Sequence, residues 1–330
     1  MKKHILKKLY ALTDEEKDIL TGRNTISKQI YTDDNNFVID RDKFILPELM
    51  INVRKHTRFI DFPLHKHNYI ELQYVYKGNL IQVIDGKKIT MGEGELMMLN
   101  QEISHEIKAT GKNDIIINFI IKPEFFQYIF SLADSDNIVF NFIMNNIYSN
   151  STKGEYFYYK VSDKSSIKSN MEKIIMELYE PDITSSISIK LLVGLLFVNL
   201  IKHTDDIEIY SVDNYEKKLS LDILKYIDEH YEEGSLTEIS RQLNQPDYKI
   251  CRIVKKYTGT TFKQLVQESR LKKAAALLMR TSLPVIEIMQ AVGYENITYF
   301  YKIFKVKYTM TPHEYRKMIE LKNDIANEIR

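Results

Sequence analysis

The last third of the chain contains one helix-turn-helix pattern twice, with the copies about 50 residues apart. The first copy, residues 235–262, reads SLTEISRQLNQPDYKICRIVKKYTGTTF, and the second, residues 284–312, reads PVIEIMQAVGYENITYFYKIFKVKYTMTP. Val254 of the first copy falls on Phe304 of the second. Because a helix-turn-helix places its second helix in the DNA major groove, a chain with two copies can contact two groove segments. The alternative is a pair of ordinary helical hairpins with solvated basic faces.

The second helix of each copy is predicted to have an apolar and a polar face. The apolar residues recur at helical spacing, as Ile250, Ile253, Val254 and Tyr257 in the first copy and as Phe300, Ile303 and Phe304 in the second. The opposite faces carry Tyr248, Cys251, Arg252 and Lys255 in the first copy, and Thr298, Tyr301, Lys302 and Lys305 in the second. Hydroxyl, guanidinium and ammonium groups can donate hydrogen bonds to base edges and phosphates.

Charge is concentrated in the same region. Residues 241–317 hold 15 Lys and Arg against 5 Asp and Glu, whereas the whole chain holds 46 against 45. The rest of the chain is therefore acidic. A basic module on an acidic body is expected when one end of a protein meets phosphate.

Residues 216–317 resemble the DNA-binding domain of the AraC/XylS family of bacterial transcription regulators. The segments that carry the resemblance are Arg270–Leu278, similar to a linker helix between the two modules, followed by Ile286–Ile288, Val292–Tyr294, Tyr299–Phe300, Phe304–Lys305 and Thr311–Arg316. The resemblance implies a sequence-specific regulator that binds double-stranded promoter DNA and RNA polymerase.

The resemblance also implies roles for single residues. Base-facing positions are Tyr248, Cys251 and Arg252 in the first recognition helix, and Thr298 and Lys302 in the second. The predicted DNA-binding set is completed by Lys249, Lys255, Asn296, Ile297, Tyr301 and Lys305, and Lys272 and Lys273 are expected to reach phosphates. The chain departs from the family pattern at Ser240 and Met289, where Ala is usual, at Thr309, where Gly is usual, and at Pro246 and Asp247.

Length and composition favour two or three soluble globular domains, since the chain has 330 residues with 44% hydrophobic and 28% charged. The single cysteine excludes an internal disulfide and fits a reducing cytoplasm. The first residues, MKKHILKKLY, lack the apolar stretch of a signal peptide. Residues 187–201 are too few to span a membrane and are predicted to form a buried helix. We therefore expect a cytoplasmic protein.

Residues 51–121 follow a different pattern, with short apolar runs bounded by turns. The predicted strands include 70–76, 80–84, 89–91, 95–99 and 114–121. Asp85-Gly86 is a strong hairpin signal. Strands this short and evenly spaced are typical of a small β-barrel or jelly roll.

The segment from His65 to Gly78 resembles the first motif of cupins, H-x-H-x₃-E-x₆-G, with His67 and Glu71 in place. Gly94, Leu99 and His105 resemble part of the second motif, whose usual Pro and Gly are Asn100 and Glu102 here. Many AraC-family regulators carry such a domain as an effector sensor, and the resemblance implies that role.

The predicted ligand-binding residues of the barrel are His65, His67, Glu71, Tyr74 and His105. The three histidines and Glu71 are also types that suit a divalent transition ion. We favour the alternative that they line a ligand pocket or hold a strand end, and we expect no cofactor. Tyr74 shares a strand face with Leu72 and Tyr76, and simple packing is the alternative for each tyrosine.

The fold class predicted from these patterns is a multidomain α+β protein. It has an N-terminal cupin-like β-barrel or jelly roll, a helical dimerisation segment and an all-α C-terminal domain with two helix-turn-helix motifs. The expected boundaries are 1–45 for an N-terminal extension, 46–125 for the cupin-like domain, 126–210 for the helical segment and 216–320 for the DNA-binding domain, with the motifs at about 235–258 and 284–308. In the helical segment, Ser165–Tyr179 and Ser188–His203 are separated by Pro181, and their apolar faces mediate homodimerisation or cover the barrel. Thr204–Asn214 is predicted to be a polar hinge, and 37–39 a strand.

We expect a small effector on the barrel to alter its packing on the helical segment, and hence the orientation or dimeric state of the modules. Two alternatives remain. A metal cupin with a DNA-binding tail would be an enzyme, and the incomplete second motif argues against it. An architectural DNA-binding protein would need no effector.

Overall fold

The computed structural model describes five ranges of the chain: 2–33, 36–132, 154–203, 206–210 and 214–328. Among these residues the chain divides into two compact units. The first ends at Asn214 and the second begins at Tyr215.

The first unit is built on two β-sheets. Its strands are β1 (Val38–Ile39), β2 (Ile51–Lys55), β3 (Phe62–His67), β4 (Ile70–Lys77), β5 (Leu80–Ile84), β6 (Lys87–Met91), β7 (Leu96–Leu99), β8 (His105–Ile107), β9 (Ile115–Ile121), β10 (Tyr156–Tyr159) and β11 (Ile207–Tyr210). One sheet has the order β1-β3-β8-β5-β6 and the other has the order β11-β10-β7-β4-β9-β2. Leu80 and Ile84 of the first sheet and Met97 and Ile116 of the second belong to one buried core. The predicted sheet-rich architecture is confirmed.

The hairpin between β5 and β6 shows how local sequence fixes register. Asp85 and Gly86 both have positive φ, 49° and 73°, as the two central residues of a tight type I′ turn require. The turn pairs Ile84 with Lys87 and continues to the pair Leu80–Met91. This hairpin is where the sequence predicted it.

Two strands lie where helix or hinge was predicted. Residues 126–210 were assigned to a helical segment, but β10 and β11 lie within it and pair with each other. Strand β10 also pairs with β7, across more than 50 residues of chain. The hinge predicted over Thr204–Asn214 is wrong for Ile207–Tyr210, because this segment forms β11; residues 204–205 and 211–213 lie outside the described ranges. Local pattern missed both strands because distant partners complete their hydrogen bonding.

Helices cover part of the first unit. They are α1 (Lys3–Tyr10), α2 (Asp14–Leu20), α3 (Lys28–Tyr31), α4 (Glu124–Leu132), α5 (Ser165–Tyr179) and α6 (Ser185–Lys202). A buried ionic cluster ties α2 to the sheet: Glu16 accepts hydrogen bonds from Arg58 Nε at 2.7 Å and from Lys55 Nζ at 3.1 Å. Burial raises the pKa of Glu16, but these hydrogen bonds and charges outweigh it and hold that pKa at about 2.

Helix α6 is only partly buried, which corrects the prediction of a buried helix. Val193, Leu196, Phe197 and Leu200 face the interior, whereas Ile187, Leu191, Leu195 and Val198 are exposed large apolar residues spaced along one side. By length and composition alone the helix could cross a membrane, with a mean hydropathy of 1.6 and 33% of its residues buried.

The second unit is helical. Its elements are α7 (Asn214–Glu229), α8 (Leu236–Gln242), α9 (Asp247–Thr258), α10 (Phe262–Arg280), α11 (Val285–Ala291), α12 (Ile297–Tyr308) and α13 (Pro312–Glu328). The long helix α10 separates two helix-turn-helix modules, as the repeat predicted. The first module is α8, its turn and α9, and the second module is α11, its turn and α12.

Candidate nucleic-acid interface and barrel site

The first module buries one face of α9 and exposes the other. Ile250, Ile253 and Val254 are buried, and the predicted contact residues Tyr248, Cys251, Arg252 and Lys255 are exposed. Helix α8 starts at the N-cap Ser235, whose hydroxyl accepts from the Glu238 backbone N–H. The chain then turns through Asn244, which has a φ of 50°, and Pro246 is the N-cap of α9. A rigid scaffold thus presents the polar face to solvent.

The second module repeats this arrangement on a more aromatic core. Phe300 and Phe304 of α12 are fully buried against α10 and α11 residues such as Ala274 and Ile288. Met289, which is large for its position, is accommodated in the same core. The predicted contact residues Ile297, Thr298, Lys302 and Lys305 are exposed, and Tyr301 is half-buried. Asn296 caps α12, with its side-chain oxygen accepting from the Tyr299 backbone N–H at 2.9 Å.

Arg270 of α10 links the loop before the first module to the turn of the second module. Its guanidinium donates to the backbone carbonyls of Tyr231, Glu232 and Gly293 at 2.7 to 2.8 Å. Tyr231 and Glu232 follow α7 and precede the first module, whereas Gly293 lies in the turn of the second. Because a guanidinium carries five donors in a rigid plane, one side chain fixes these three loop positions together.

Three of the four basic side chains of α9, Lys249, Arg252 and Lys256, have partners within the unit. Glu216 of α7 binds Arg252 Nη2 at 2.9 Å and Lys256 Nζ at 2.6 Å. Lys249 donates to Gln245 at 2.6 Å and lies 4.8 Å from the centre of the Tyr215 ring. Neither Glu216 nor Lys256 was identified from the sequence; Lys256 continues the basic stretch after Lys255, and that adjacency was an available signal.

Three buried groups meet inside the barrel. His67, Glu71 and His105 bring potential ligand atoms within 4.8 Å of one another. The Nε2 atoms of His67 and His105 lie 3.7 and 3.6 Å from one oxygen of the Glu71 carboxyl. Both Nε2 atoms are buried, and neither has a hydrogen-bond partner in the described part of the chain.

Hydrogen bonds orient each of these groups. His67 Nδ1–H donates to the Tyr69 carbonyl at 2.8 Å, and His105 Nδ1–H donates to the Gln82 side-chain oxygen at 2.7 Å. Gln82 donates to Gln73, which in turn donates to Glu71 at 3.1 Å. Asn118 donates to the other Glu71 oxygen at 3.1 Å. Neither glutamine was identified from the sequence, although both lie on predicted strands.

Burial sets the protonation of the cluster. It lowers the pKa of His67 to about 3, and it lowers the pKa of His105 well below its ordinary value. The same cause raises the pKa of the Glu71 carboxyl to about 7. At neutral pH both imidazoles are therefore uncharged, and because each Nδ1 carries the proton, each Nε2 is the unprotonated nitrogen.

The five predicted ligand-binding residues do not form one site. The His65 ring is tilted by 43° against the His105 ring, with ring centroids 4.2 Å apart, and its Nδ1–H donates to the Pro63 carbonyl. Tyr74 is buried but lies three residues from Glu71 on β4, and so on the opposite face of the strand. Tyr74 therefore does not face the histidines, and its ligand-binding role stays a prediction. His56, which the prediction did not include, is buried and in contact with Asn118.

The cluster fits a divalent cation by the chemistry of its donors. Uncharged imidazole Nε2 atoms, with Nδ1–H groups held by oxygen acceptors, are the usual form of metal-binding histidines. Two imidazoles and a carboxylate suit a transition ion. The adjacent cavity, lined by His65, Glu71 and Asn118 among others, has a volume of about 20 Å³. That is room for one water or ion and excludes a larger molecule.

Comparisons with known proteins agree with this division of the chain. Residues 239–318 match a family model described as a helix-turn-helix domain, and residues 58–121 match one described as a cupin domain. The uncharacterized HTH-type transcriptional regulator YdeC of Bacillus subtilis is 24% identical over 265 residues, which are 78% of this chain and 86% of YdeC. The HTH-type transcriptional activator RhaS of Escherichia coli is 22% identical over 264 residues, 78% of this chain and 88% of RhaS. Among solved structures, fatty acid-bound ToxT from Vibrio cholerae is 17% identical, covers 81% of this chain and 94% of its own, and gives a TM-score of 0.33.

Proposed function

We propose that this chain is a transcription regulator of the AraC/XylS family with a cupin-like sensor domain, and that it uses both recognition helices to read adjacent segments of a promoter. The observation that carries this proposal is the pair of exposed polar faces on α9 and α12 over two separately packed cores. Arg252, Thr298 and Lys302 supply specificity, and Lys255, Lys305, Lys272 and Lys273 supply affinity through phosphate contacts.

Selection of the full chain on random double-stranded DNA at about 150 mM salt tests this proposal. We expect an enriched site with two segments about 10 base pairs apart, since one helical turn separates neighbouring major-groove faces. Enrichment of one segment would mean that a single module reads DNA. Retention without any enriched sequence would favour the architectural alternative.

A small effector bound to the first unit changes the fraction of promoter sites that the protein occupies. Coupling of ~1–3 kcal/mol between two sites changes affinity by ~5–150-fold, which is enough to switch a promoter. The curated relatives are regulators, and the chain acts by binding rather than as an enzyme. RNA polymerase is the further partner, and the protein acts in the cytoplasm without a membrane.

We assign homodimerisation to α6. Its exposed apolar residues, Ile187, Leu191, Leu195 and Val198, repeat every three to four positions and form one stripe. A second copy of the same helix would bury that stripe. Leu191→Glu should convert a dimer to a monomer in analytical ultracentrifugation, whereas Lys202→Glu, at the exposed end of the same helix, should leave the mass unchanged. If the wild-type protein itself sediments as a monomer, this assignment is wrong.

The barrel cluster supports a second function, binding of a divalent transition ion by His67, Glu71 and His105. The specific observation is the pair of buried Nε2 atoms that lack partners in the described part of the chain. A bound ion supplies positive charge that stabilises the ionised Glu71 carboxylate. Zn²⁺ should raise the Tm of the wild type and not that of Glu71→Gln. An equal rise in both proteins would place the ion elsewhere.

A further inference from the structure

The first unit contains a second cavity, outside the barrel core. It has a volume of about 530 Å³ and lies between α1, the outer face of β4, the turn before β7 and α5. Its lining includes Leu6, Tyr10, Tyr74, Tyr76, Lys168 and Glu172. This volume is that of a small-molecule site, whereas the space beside the histidines holds only a water or an ion.

The floor of this cavity is aromatic and contains an unused hydroxyl. Tyr74 is 3% exposed and lines the cavity, and its hydroxyl makes no hydrogen bond to the described residues. Because Tyr74 lines the cavity, this hydroxyl can donate a hydrogen bond to a ligand there. Tyr10 and Tyr76 add ring surface beside it, and such rings can pack on an apolar group or face an ammonium.

The rim carries charges of both signs. Lys77 is paired with Glu93 at 2.9 Å, so these two largely neutralise each other. Lys168 and Glu172 lie one helical turn apart on α5 and both line the cavity. Burial, and after it neighbouring groups including Glu172 and Glu93, raise the pKa of Tyr74; those carboxylates are therefore close to the floor. Lys168 thus offers an ammonium to a ligand carboxylate, and Glu172, which also interacts with neighbouring groups, offers a carboxylate to a ligand ammonium.

We propose that this cavity binds a small zwitterion, an amino acid or amino-acid-like molecule whose apolar group packs on the tyrosine floor. Lys168 binds its carboxylate, Glu172 binds its ammonium, and the Tyr74 hydroxyl donates a hydrogen bond to its carboxylate. The inference rests on the proposed function in taking the first unit as the sensor. It deepens that function by placing the effector outside the barrel and naming its class.

Isothermal titration calorimetry of the full chain with three probes tests the proposal. L-Phenylalanine carries both charges, 2-phenylethylamine lacks the carboxylate, and 3-phenylpropionate lacks the ammonium. We expect L-phenylalanine to bind at least ~10-fold more tightly than either analogue, because a hydrogen bond to a charged group is worth about that factor. Failure of all three to bind, or equal binding by all three, overturns the assignment.

Variants then assign each half of the ligand. Lys168→Ala should weaken L-phenylalanine ~10-fold and leave 2-phenylethylamine within ~2-fold, whereas Glu172→Gln should weaken 2-phenylethylamine. Tyr74→Phe keeps the ring and should weaken L-phenylalanine by losing the hydroxyl. Lys173→Ala, exposed on the same helix and outside the lining, is the matched control and should bind as wild type. Unchanged binding in the first three variants would place the ligand elsewhere.

The same proteins separate this inference from the proposed function. Lys168→Ala should bind selected promoter DNA as the unliganded wild type does, since its side chain belongs to the first unit. Loss of all sequence-specific DNA binding by the wild type would contradict the regulator, while the calorimetry would still stand. Specific DNA binding without any zwitterion binding would leave the regulator and remove this site.

Discussion

The two helix-turn-helix modules have the same elements but differ in how their reading helices are held. In the first module, α9 is tied to α7 through Glu216, which binds Arg252 and Lys256. In the second, Lys302 and Lys305 of α12 form no ion pair with the described residues, and the turn is held by Arg270. To meet DNA, Arg252 must first leave Glu216. Lys302 and Lys305 have no such ion pair to leave, although Lys307 of the same helix pairs with Glu268 at 3.1 Å. Repetition of a motif therefore does not mean equal contributions to binding.

The turns of the two modules should show the largest difference, measured as the free energy of unfolding that a substitution to alanine removes. Gly293 has a φ of 81°, and a Cβ there would lie 2.2 Å from the Glu232 carbonyl oxygen. Gly293→Ala should therefore cost at least ~3 kcal/mol of unfolding free energy, from the left-handed backbone and the clash together. At Asn244, which is exposed with a φ of 50°, the change to Ala should cost only ~1 kcal/mol. Urea denaturation of the full chain measures both, and equal losses would contradict a special role for the second turn.

The next largest difference between the modules should appear in DNA affinity, when a basic side chain of each is shortened to alanine. If the two side chains contact bases, Arg252→Ala or Lys302→Ala should each cost ~1–3 kcal/mol of binding free energy on a selected DNA site. We expect Lys302→Ala to be the larger of the two, because Arg252 must first leave Glu216. Titration of labelled DNA by fluorescence anisotropy gives both values. Equal losses on random DNA would show that the side chains touch only phosphate.

The ends of the two reading helices differ in strain. Gly259 ends α9 with a φ of 73°, and Thr309 ends α12 with a φ of 63°. A β-branched residue in the left-handed region is disfavoured, so Thr309→Gly should stabilise the second module by ~1 kcal/mol. The reciprocal change, Gly259→Thr, should destabilise the first by ~1–2 kcal/mol, because open space around Gly259 leaves only the conformational cost. Thermal unfolding should show shifts of opposite sign, and a lower Tm for Thr309→Gly would refute the strain.

Removing the acidic partner of α9 should have the smallest effect. Glu216→Gln frees Arg252 and Lys256 for phosphate and should raise DNA affinity less than ~10-fold, since exposed ion pairs are worth at most ~1 kcal/mol. Glu229→Gln removes the same charge from the exposed C-terminal end of the same helix and is the control. If both variants gain affinity equally, net charge is responsible and the pairing is not.

The sequence predicted features that depend on local spacing. It located the hairpin at Asp85-Gly86, helix α5 from Ser165 to Tyr179, and the buried and exposed faces of both recognition helices. It also identified Thr309 as a departure, which the structure explains as strain at a helix end.

Features that depend on distant partners were not predicted. Strand β10 forms because Leu96–Leu99, far earlier in the chain, pairs with it. The partners of Arg270 are backbone carbonyls that only the fold brings together. The separation of Tyr74 from the histidines needs no distant partner, because strand alternation alone puts residues 71 and 74 on opposite faces.

The position of Cys251 has a practical consequence. The chain has one cysteine, and its thiol is exposed on α9 among the residues that we propose face DNA. A thiol reagent therefore marks a single known atom, and no engineered handle is needed. The rate of alkylation at that atom therefore measures how accessible the first recognition helix is to solvent, with promoter DNA, effector or both present.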